Sequence, residues 1–497
     1  MLIAYRNDRQ LAISDKLIMT YAEVIKYLNS FINYERIPRY PYRQSLKLER
    51  IKEFLHKLNN PQEDLKCIHI AGTKGKGSAC AYIASILREA GYKIGLYTSP
   101  HLSDFRERIR VLGARRKAQG ARRNFEGMIS REELCTLVES LKPEIDKYNS
   151  RSKYGALSFF EVYTALAFEY FKEKGVDFAV LETGLGGRLD ATNAVSSLVA
   201  AITPISFEHT RQLGSTLAEI AFEKAGIIKT GYGIRVTGYD VSRYPLPVTR
   251  YPIVITAPQE EEAMKVIRDR CKVQGAILYE IGKDIIFERT DFSRNYQGFS
   301  INGEFGRLPS LKIKLLGMHQ VINAAVAVAV VLALSKFFKI RVGLEAIKSG
   351  LYNTIWPGRF EIIPQEPLVI FDGAQNTASA KALRETIVEI FPDKRVVLVL
   401  GISKDKDIAG ICKELCPLAE EIILTQADNP RAADVDRIKQ FISPQSTIHS
   451  PQIFETKSAK EAIELAREKA GAEDLILITG SLFLVGETRG LWVKGCP

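Results

Sequence analysis

The segment Gly72-Thr73-Lys74-Gly75-Lys76-Gly77-Ser78 packs three glycines and two lysines into seven residues. A short apolar run at residues 67–71 precedes it, and a helical pattern over residues 79–90 follows, with Gly91 placed to cap its end. Strand, glycine loop and helix start bring backbone N–H groups and the positive helix end onto one anion site. In that layout Lys76 reaches the β- and γ-phosphates of a nucleotide, and Ser78 offers its hydroxyl to Mg²⁺. The string departs from G-x-x-x-x-G-K-[ST], because Gly77 follows Lys76 and the first glycine stands too close. A plain turn does not need three glycines with an embedded lysine directly before a helix, so phosphate binding is the expectation.

Glu182 follows a buried-strand pattern at residues 176–181 and opens E-T-G-L-G-G-R-L-D-A-T-N. A carboxylate at the carboxyl end of a strand beside a nucleotide loop suits Mg²⁺ or a water on it. A second strand pattern, residues 198–202, leads into Thr203-Pro204-Ile205-Ser206-Phe207-Glu208-His209, and the next helix ends at Glu223-Lys224-Ala225-Gly226. His209 reads equally as a satisfied structural histidine. Lys224, in a last helical turn beside a glycine, complements the helix dipole. Spacing alone leaves both roles open. Asp372-Gly373-Ala374-Gln375-Asn376 and Thr479-Gly480-Ser481 also close strand patterns, where an open α/β sheet places ligand groups.

These segments need a scaffold, and 497 residues suggest two to four domains at roughly 100 to 200 residues each. Apolar residues make up 46% and charged residues 26%, which excludes a disordered chain. Residues 1–10 hold Arg6, Asp8 and Arg9 without an apolar core, so no secretory signal is expected. The longest apolar stretch, residues 324–334, falls short of the ~20 residues that span a bilayer and reads as a buried helix. Seven cysteines, an odd number with no C-x-x-C pair, exclude a disulfide framework or zinc ribbon and point to a reducing cytoplasm.

Thr20-x-x-Glu23 is a capping box, and strand patterns bounded by glycine alternate with amphipathic helices, the mark of an α/β sheet. Pro357 and Gly358 break periodicity between Asn353 and Glu361, where a domain boundary is expected. Strand patterns at residues 368–371, 395–400, 421–425 and 475–479 then predict a small parallel-sheet domain. The formal charge is +11, from 69 lysines and arginines against 58 acids. Part of it lies in a run holding Arg106, Arg108, Arg110, Arg115, Arg116, Lys117, Arg122 and Arg123. That run reads as a solvated loop or an attractor of anions. Without interleaved aromatics it does not suit single-stranded nucleic acid.

Taken together, the strings resemble the folylpolyglutamate synthase and dihydrofolate synthase family of the Mur ligase superfamily. The likeness spans nearly the whole chain: Ile32–Glu35, the glycine loop, Tyr97-Thr98-Ser99-Pro100-His101-Leu102, Phe105-Arg106-Glu107-Arg108-Ile109-Arg110, Leu157–Glu161, the Glu182 segment, Glu223–Ile227, Gly317–Gln320 with Asn323, Pro357–Arg359 and Asn429–Ala432. It implies an α/β fold with a P-loop-type Mur ligase central domain, residues 1–352, and a smaller Rossmann-like domain, residues 353–497. It implies ATP on Gly72, Thr73, Lys74, Gly75, Lys76, Gly77, Ser78, Asn323, Arg359 and Asp372. Two Mg²⁺ ions would be held by Ser78, Ser99 and Glu182, and by His209 with a carbamate formed from CO₂ on Lys224. Lys76, Glu182, His209 and Lys224 would be catalytic.

Ser158, Phe159, Phe160, Glu161, Leu189, Asp190 and Ala191 match the family's pterin-side segments, although Ser158-x-x-Glu161 is equally a capping box. The implied reaction is ATP-dependent addition of L-glutamate to folate, to dihydropteroate, or to both, through an acyl phosphate. The implied protein is a cytoplasmic monomer without nucleic-acid or membrane partners. Gln375 stands where the family commonly has histidine, Glu208 where it has aspartate, and insertions fall near residues 114–124 and 231–251. Other readings of the same residues are a Mur-type ligase for a non-folate acid and a nucleotide-binding homologue without ligase activity.

Overall fold

The computed structural model describes residues 19–37, 40–114, 125–230, 252–442 and 451–494. Residues 115–124, with Arg115, Arg116, Lys117, Arg122 and Arg123, and the insertion at residues 231–251 lie outside them. A seven-stranded sheet has the order β3 (Ile109–Leu112), β2 (Ile94–Tyr97), β4 (Phe178–Glu182), β1 (Cys67–Ala71), β5 (Ser197–Ile202), β6 (Ile253–Thr256), β7 (Ile277–Glu280). Its pairings are parallel except for β3 on β2. The five residues of β1 and of β4 are all buried, so both strands are mostly apolar without polar alternation, with His69 the one polar residue inside β1 and Glu182 closing β4.

The chain leaves β1 toward β2 and β4 on one side and later returns to β5 on the other. The carboxyl end of β1 is therefore a topological switch point. The helix that follows, Lys76–Glu89, starts three residues earlier than its apolar pattern predicts. Gly75 adopts φ +79° at its N-cap, and Gly77 sits inside the first turn because Trp356 packs where a Cβ would stand, 3.1 Å away.

A three-stranded antiparallel sheet, β8 (Ile285–Phe292), β9 (Gln297–Gly303) and β10 (Gly306–Ile313), adds a layer the strand patterns miss. Its buried residues Phe299, Ile301, Leu311 and Ile313 share one core with the helix Met318–Phe338. That helix is long and apolar enough to cross a membrane, yet it is mostly buried, as a core helix is.

Beyond residue 353, β11 (Glu361–Ile363), β12 (Leu368–Phe371), β13 (Val396–Leu400), β14 (Glu421–Leu424), β15 (Gln452–Glu455) and β16 (Leu475–Thr479) form a six-stranded sheet in the order β11-β12-β16-β13-β14-β15. All pairs are parallel except β11 with β12. The strand patterns at residues 368–371 and 475–479 are met residue for residue.

Ion pairs join the two sheets. Arg108, almost wholly buried, donates to both Glu35 oxygens at 2.8 and 2.6 Å and to His101 Nδ1 at 2.9 Å. Arg431, after β14, donates to the Glu35 carbonyl at 2.8 Å and holds Asp405 at 3.0 and 2.6 Å. Glu208 pairs with Lys406 at 2.9 Å. The three described residues of the basic run are thus engaged internally: Arg106 holds Asp104, Arg108 holds Glu35, and Arg110 donates to the Glu126 carbonyl at 2.9 Å.

Two outcomes follow from this packing. A Cβ on Gly350 would stand 2.4 Å from the Ile86 Cα of the loop's helix, where backbone meets backbone. Gly350→Ala should therefore cost about 2 kcal/mol of stability in urea unfolding. For Glu35, burial raises the carboxyl pKa, but Arg108 outweighs burial and holds it below the usual range. A depressed folded pKa stabilises above the unfolded value and is lost as pH falls through the folded one. Glu35→Gln should cost about 2 kcal/mol at pH 7. Its deficit against the wild type should shrink as pH drops below about 4.

Candidate active site

The glycine loop is fixed from the β5 side. Thr73 and Lys74 donate their N–H groups to the Pro204 carbonyl at 3.0 and 3.2 Å, and the Thr73 hydroxyl exchanges hydrogen bonds with the Ser206 backbone at 3.1 Å. Two loop amides are thereby used in shaping the loop. The amides of Lys76, Gly77 and Ser78 have no carbonyl a turn behind them, the first helical bond running from the Ala79 amide to the Gly75 carbonyl at 2.8 Å, and are free for an anion. Gly72 and Gly75 cannot be replaced, because a Cβ would lie 1.9 Å from Thr203 Oγ1 and 2.0 Å from Asn323 Oδ1. Asn323, buried on the helix Met318–Phe338, therefore sits directly against the loop.

Glu182 is the last residue of β4, in register with Ile70 of β1, and is 5% exposed. One oxygen accepts from the Ser99 N–H at 3.1 Å, and the other faces Lys76 Nζ at 4.0 Å, beyond a hydrogen bond. Burial pushes its pKa up against the pull of Lys76. Lys224, 4% exposed, donates to the Gly72 carbonyl at 2.7 Å. Burial, reinforced by the charge of Lys76, brings its pKa down to about 7. Lys74 is lowered to about 8, chiefly by burial. His209, with φ +51°, is lowered to about 3 by burial and by Lys406, so it is a neutral imidazole. Burial raises the Glu208 pKa, but Lys406 and His209 outweigh it and hold the carboxyl well below the usual range.

A cavity of about 680 Å³ lies between the sheets; Ser99, Glu208 and His209 line it, and no residue of the glycine loop does. Tyr34, Leu46, Phe160, Leu185 and Leu189 line an apolar part; Ser206 to His209, Gln375, Asn376, Asp405 and Lys406 line a polar one. Of the pterin-side residues expected here, Ser158, Phe160, Glu161, Leu189, Asp190 and Ala191 line it. Phe159 does not. It is fully buried among Phe105, Tyr163 and Arg108, because the helix Phe159–Lys174 turns consecutive side chains to different faces.

Ser158 and Glu161 do form the capping box, and Glu161 also accepts from Arg50 at 2.8 and 2.9 Å. The Asp190 oxygens accept from the amides of Gly184 and Leu185, both at 2.9 Å, and from Thr192, so the residue shapes the loop after β4. Asp372 likewise accepts from the amides of Phe360 at 2.8 Å and Ala374 at 2.9 Å, and Arg359 beside it offsets the burial that raises its pKa.

Among the described residues no group of three or more His, Cys, Asp or Glu side chains clusters as a metal site. Glu182 touches Ser99 through the Ser99 amide, and Ser78 lies in the first turn of the helix that starts at Lys76; oxygen donors of this kind suit Mg²⁺ only with phosphate oxygens completing the shell. Two buried hydroxyls here, Thr183 Oγ1 and Ser206 Oγ, make no hydrogen bond, which fits a site built for a further polar group. Lys406 escaped the sequence reading because a lysine in S-K-D-K-D carries no local signal. Arg431 stood in a recognised string, but its contact with Glu35 spans 396 residues.

The Mur ligase middle domain family matches residues 149–331, and the Mur ligase glutamate ligase domain matches residues 358–482. The dihydrofolate synthase/folylpolyglutamate synthase of Bacillus subtilis is 34% identical over 443 residues, 89% of this chain and 94% of that protein. The enzyme of the same description from Escherichia coli is 31% identical, covering 84% of each chain. The structure of Mycobacterium tuberculosis folylpolyglutamate synthase complexed with ADP superposes with a TM-score of 0.81 at 28% identity, over 96% of this chain and 98% of that one. An E. coli structure in complex with DHPP and ADP gives 0.78 at 28% identity, over 97% and 99%. The order of strands, the loop at the switch point and these relatives agree: the chain belongs to the dihydrofolate synthase/folylpolyglutamate synthase family of Mur ligases.

Proposed function

We propose that this chain is an ADP-forming ligase that joins L-glutamate to folate, to dihydropteroate, or to both in turn. The observation that carries the reading is the placement of three lysines, half-buried Lys74 and Lys76 and buried Lys224, at a strand-end glycine loop beside a part-apolar, part-polar cavity lined by Ser99, Glu208 and His209. ATP binds along Gly72 to Ser78, with Asn323 behind the loop and Arg359 and Asp372 contributing from the far side of the cleft. Lys76 neutralises the γ-phosphate while the acceptor carboxylate attacks it, and the glutamate amine then displaces phosphate from the acyl phosphate. Such transfers need positioning and charge neutralisation rather than a protein nucleophile.

Mg²⁺ would be held by Ser78, Ser99 and Glu182 and at a second position by His209 and Lys224, and would supply further neutralisation of the phosphates. Lys224 joins that set as a carbamate: its amine adds CO₂ and releases a proton, turning a cation into an anion with two oxygens. A pKa of about 7 in a buried pocket supports this, because the neutral amine is the form that adds CO₂. Phe160, Leu189 and Ala191 hold the pterin side, and Ser158, Glu161 and Asp190 fix the segments that carry them. Phe159 acts from the core behind Phe160.

Residues 1–352 form the nucleotide and acceptor domain, and residues 353–497 the glutamate ligase domain. A reducing cytoplasm suits the six described cysteines, all free and buried. A monomer suffices, because one chain lines the whole cavity.

ADP release should require both a pteroyl acid and L-glutamate, with product mass distinguishing dihydropteroate from tetrahydrofolate as acceptor; turnover indifferent to both would overturn the reading. Lys224→Ala should lower kcat by about 100-fold or more at saturating ATP. Near-normal rates with Met or Gln there would refute the carbamate. Gln375→His should preserve or raise turnover if that position faces phosphate, and a large loss would mean that the site has been rebuilt around the amide.

A further inference from the structure

A second, open groove of about 650 Å³ adjoins the cavity, and Tyr40, Thr210, Arg211 and Gln212 line both. Three of these four directly follow His209, so the boundary between the two spaces lies beside that residue. The groove's acids are engaged. Glu223 is held by Arg188 at 2.8 Å and by the Tyr42 hydroxyl at 3.3 Å. Glu219 accepts from the amides of Ser215 and Thr216 at the start of the helix Leu217–Ala225. Arg43 and Arg211 are different. Both are exposed, and among the described residues neither forms a hydrogen bond or ion pair. Phe222 gives the groove an exposed aromatic face.

Two free guanidinium groups in a groove that adjoins the cavity suit a flexible polyanion that starts inside the cavity and extends past its edge. Repeated glutamylation creates such a chain. Each cycle must bring a new terminal carboxylate to the same phosphates, so the residues added earlier have to leave the cavity, and each carries a free α-carboxylate. We propose that the groove between Arg43 and Arg211 binds the γ-linked oligoglutamate already attached to the acceptor. The proposal rests on the ligase reading above and extends it to substrate length.

The test compares tetrahydropteroyl monoglutamate with tetrahydropteroyl triglutamate as acceptors for the wild type, Arg43→Glu and Arg43→Lys, with melting temperature as a check on folding. Arg43 lies outside the cavity, so Arg43→Glu should keep kcat/KM for the monoglutamate within about twofold. It should lower kcat/KM for the triglutamate about tenfold or more, mainly through KM, and shorten the product ladder seen by mass. Arg43→Lys should recover most of that loss. Equal losses on both acceptors, or none on the longer one, would overturn the proposal. The wild type separates two failures: no acceptor-dependent ADP with any pteroyl acid removes the ligase reading and the groove's role with it. Normal wild-type turnover with a length-independent Arg43→Glu removes the groove alone.

Discussion

Lys74, Lys76 and Lys224 meet at the carboxyl end of β1, and the nearest carboxylate, Glu182, stays 4.0 Å from Lys76. Among the described residues Lys224 has a carbonyl for a partner and no acid in contact. Buried charge left uncompensated is costly, so this arrangement persists only because the surroundings over-determine it. Thr203 and Asn323 close on Gly72 and Gly75 from two sides, Pro204 takes the loop's first amides, and Glu182 is held in the strand by its pairing with β1. The lowered pKa values of Lys74 and Lys224 are the electrostatic signature of a pocket that favours an incoming anion.

The second sheet completes that pocket. Lys406 sits on the loop after β13 and would add another cation, but Glu208 neutralises it across the cleft, while burial and the charge of Lys406 keep His209 uncharged against the pull of Glu208. Arg431 is likewise engaged by Asp405 and by the Glu35 carbonyl. The two sheets are therefore joined through charges whose partners lie on opposite walls of the cavity. Glutamate in place of aspartate at position 208 has a longer reach, and here that reach ends on Lys406.

The parts of this structure that were legible in the sequence share one property: their signal is local. β1, β12 and β16 are buried on both faces, so a mostly apolar run, broken only by His69 in β1 and closed by Thr479 in β16, marks them. The capping boxes at Thr20 and Ser158 are complete within four residues. The antiparallel layer was not legible, because β8 is largely exposed and mixes charge with apolar residues without a clean alternation. Glycine in a first helical turn masked the true start at Lys76. The contacts that close the cleft, Arg431 to Glu35 and Lys406 to Glu208, depend on where two sheets dock, and no spacing rule reaches across 198 or 396 residues.

The net charge also changes meaning once the pairs are visible. Arg106, Arg108 and Arg110 looked like bait for an anion, yet they stabilise the segment around Glu35 and Asp104. The cations that matter for the proposed chemistry are a few lysines at the glycine loop, and formal charge does not distinguish them from the rest. On the proposed reading the nucleotide, the acceptor and glutamate are all anions, so positive charge attracts each of them and selects none. Selection then falls to the apolar half of the cavity, where Phe160, Leu185, Leu189, Tyr34 and Leu46 present shape and aromatic surface instead of charge. A relative that kept the lysine cluster but rebuilt those positions would remain an ATP-dependent ligase and would take a different acid.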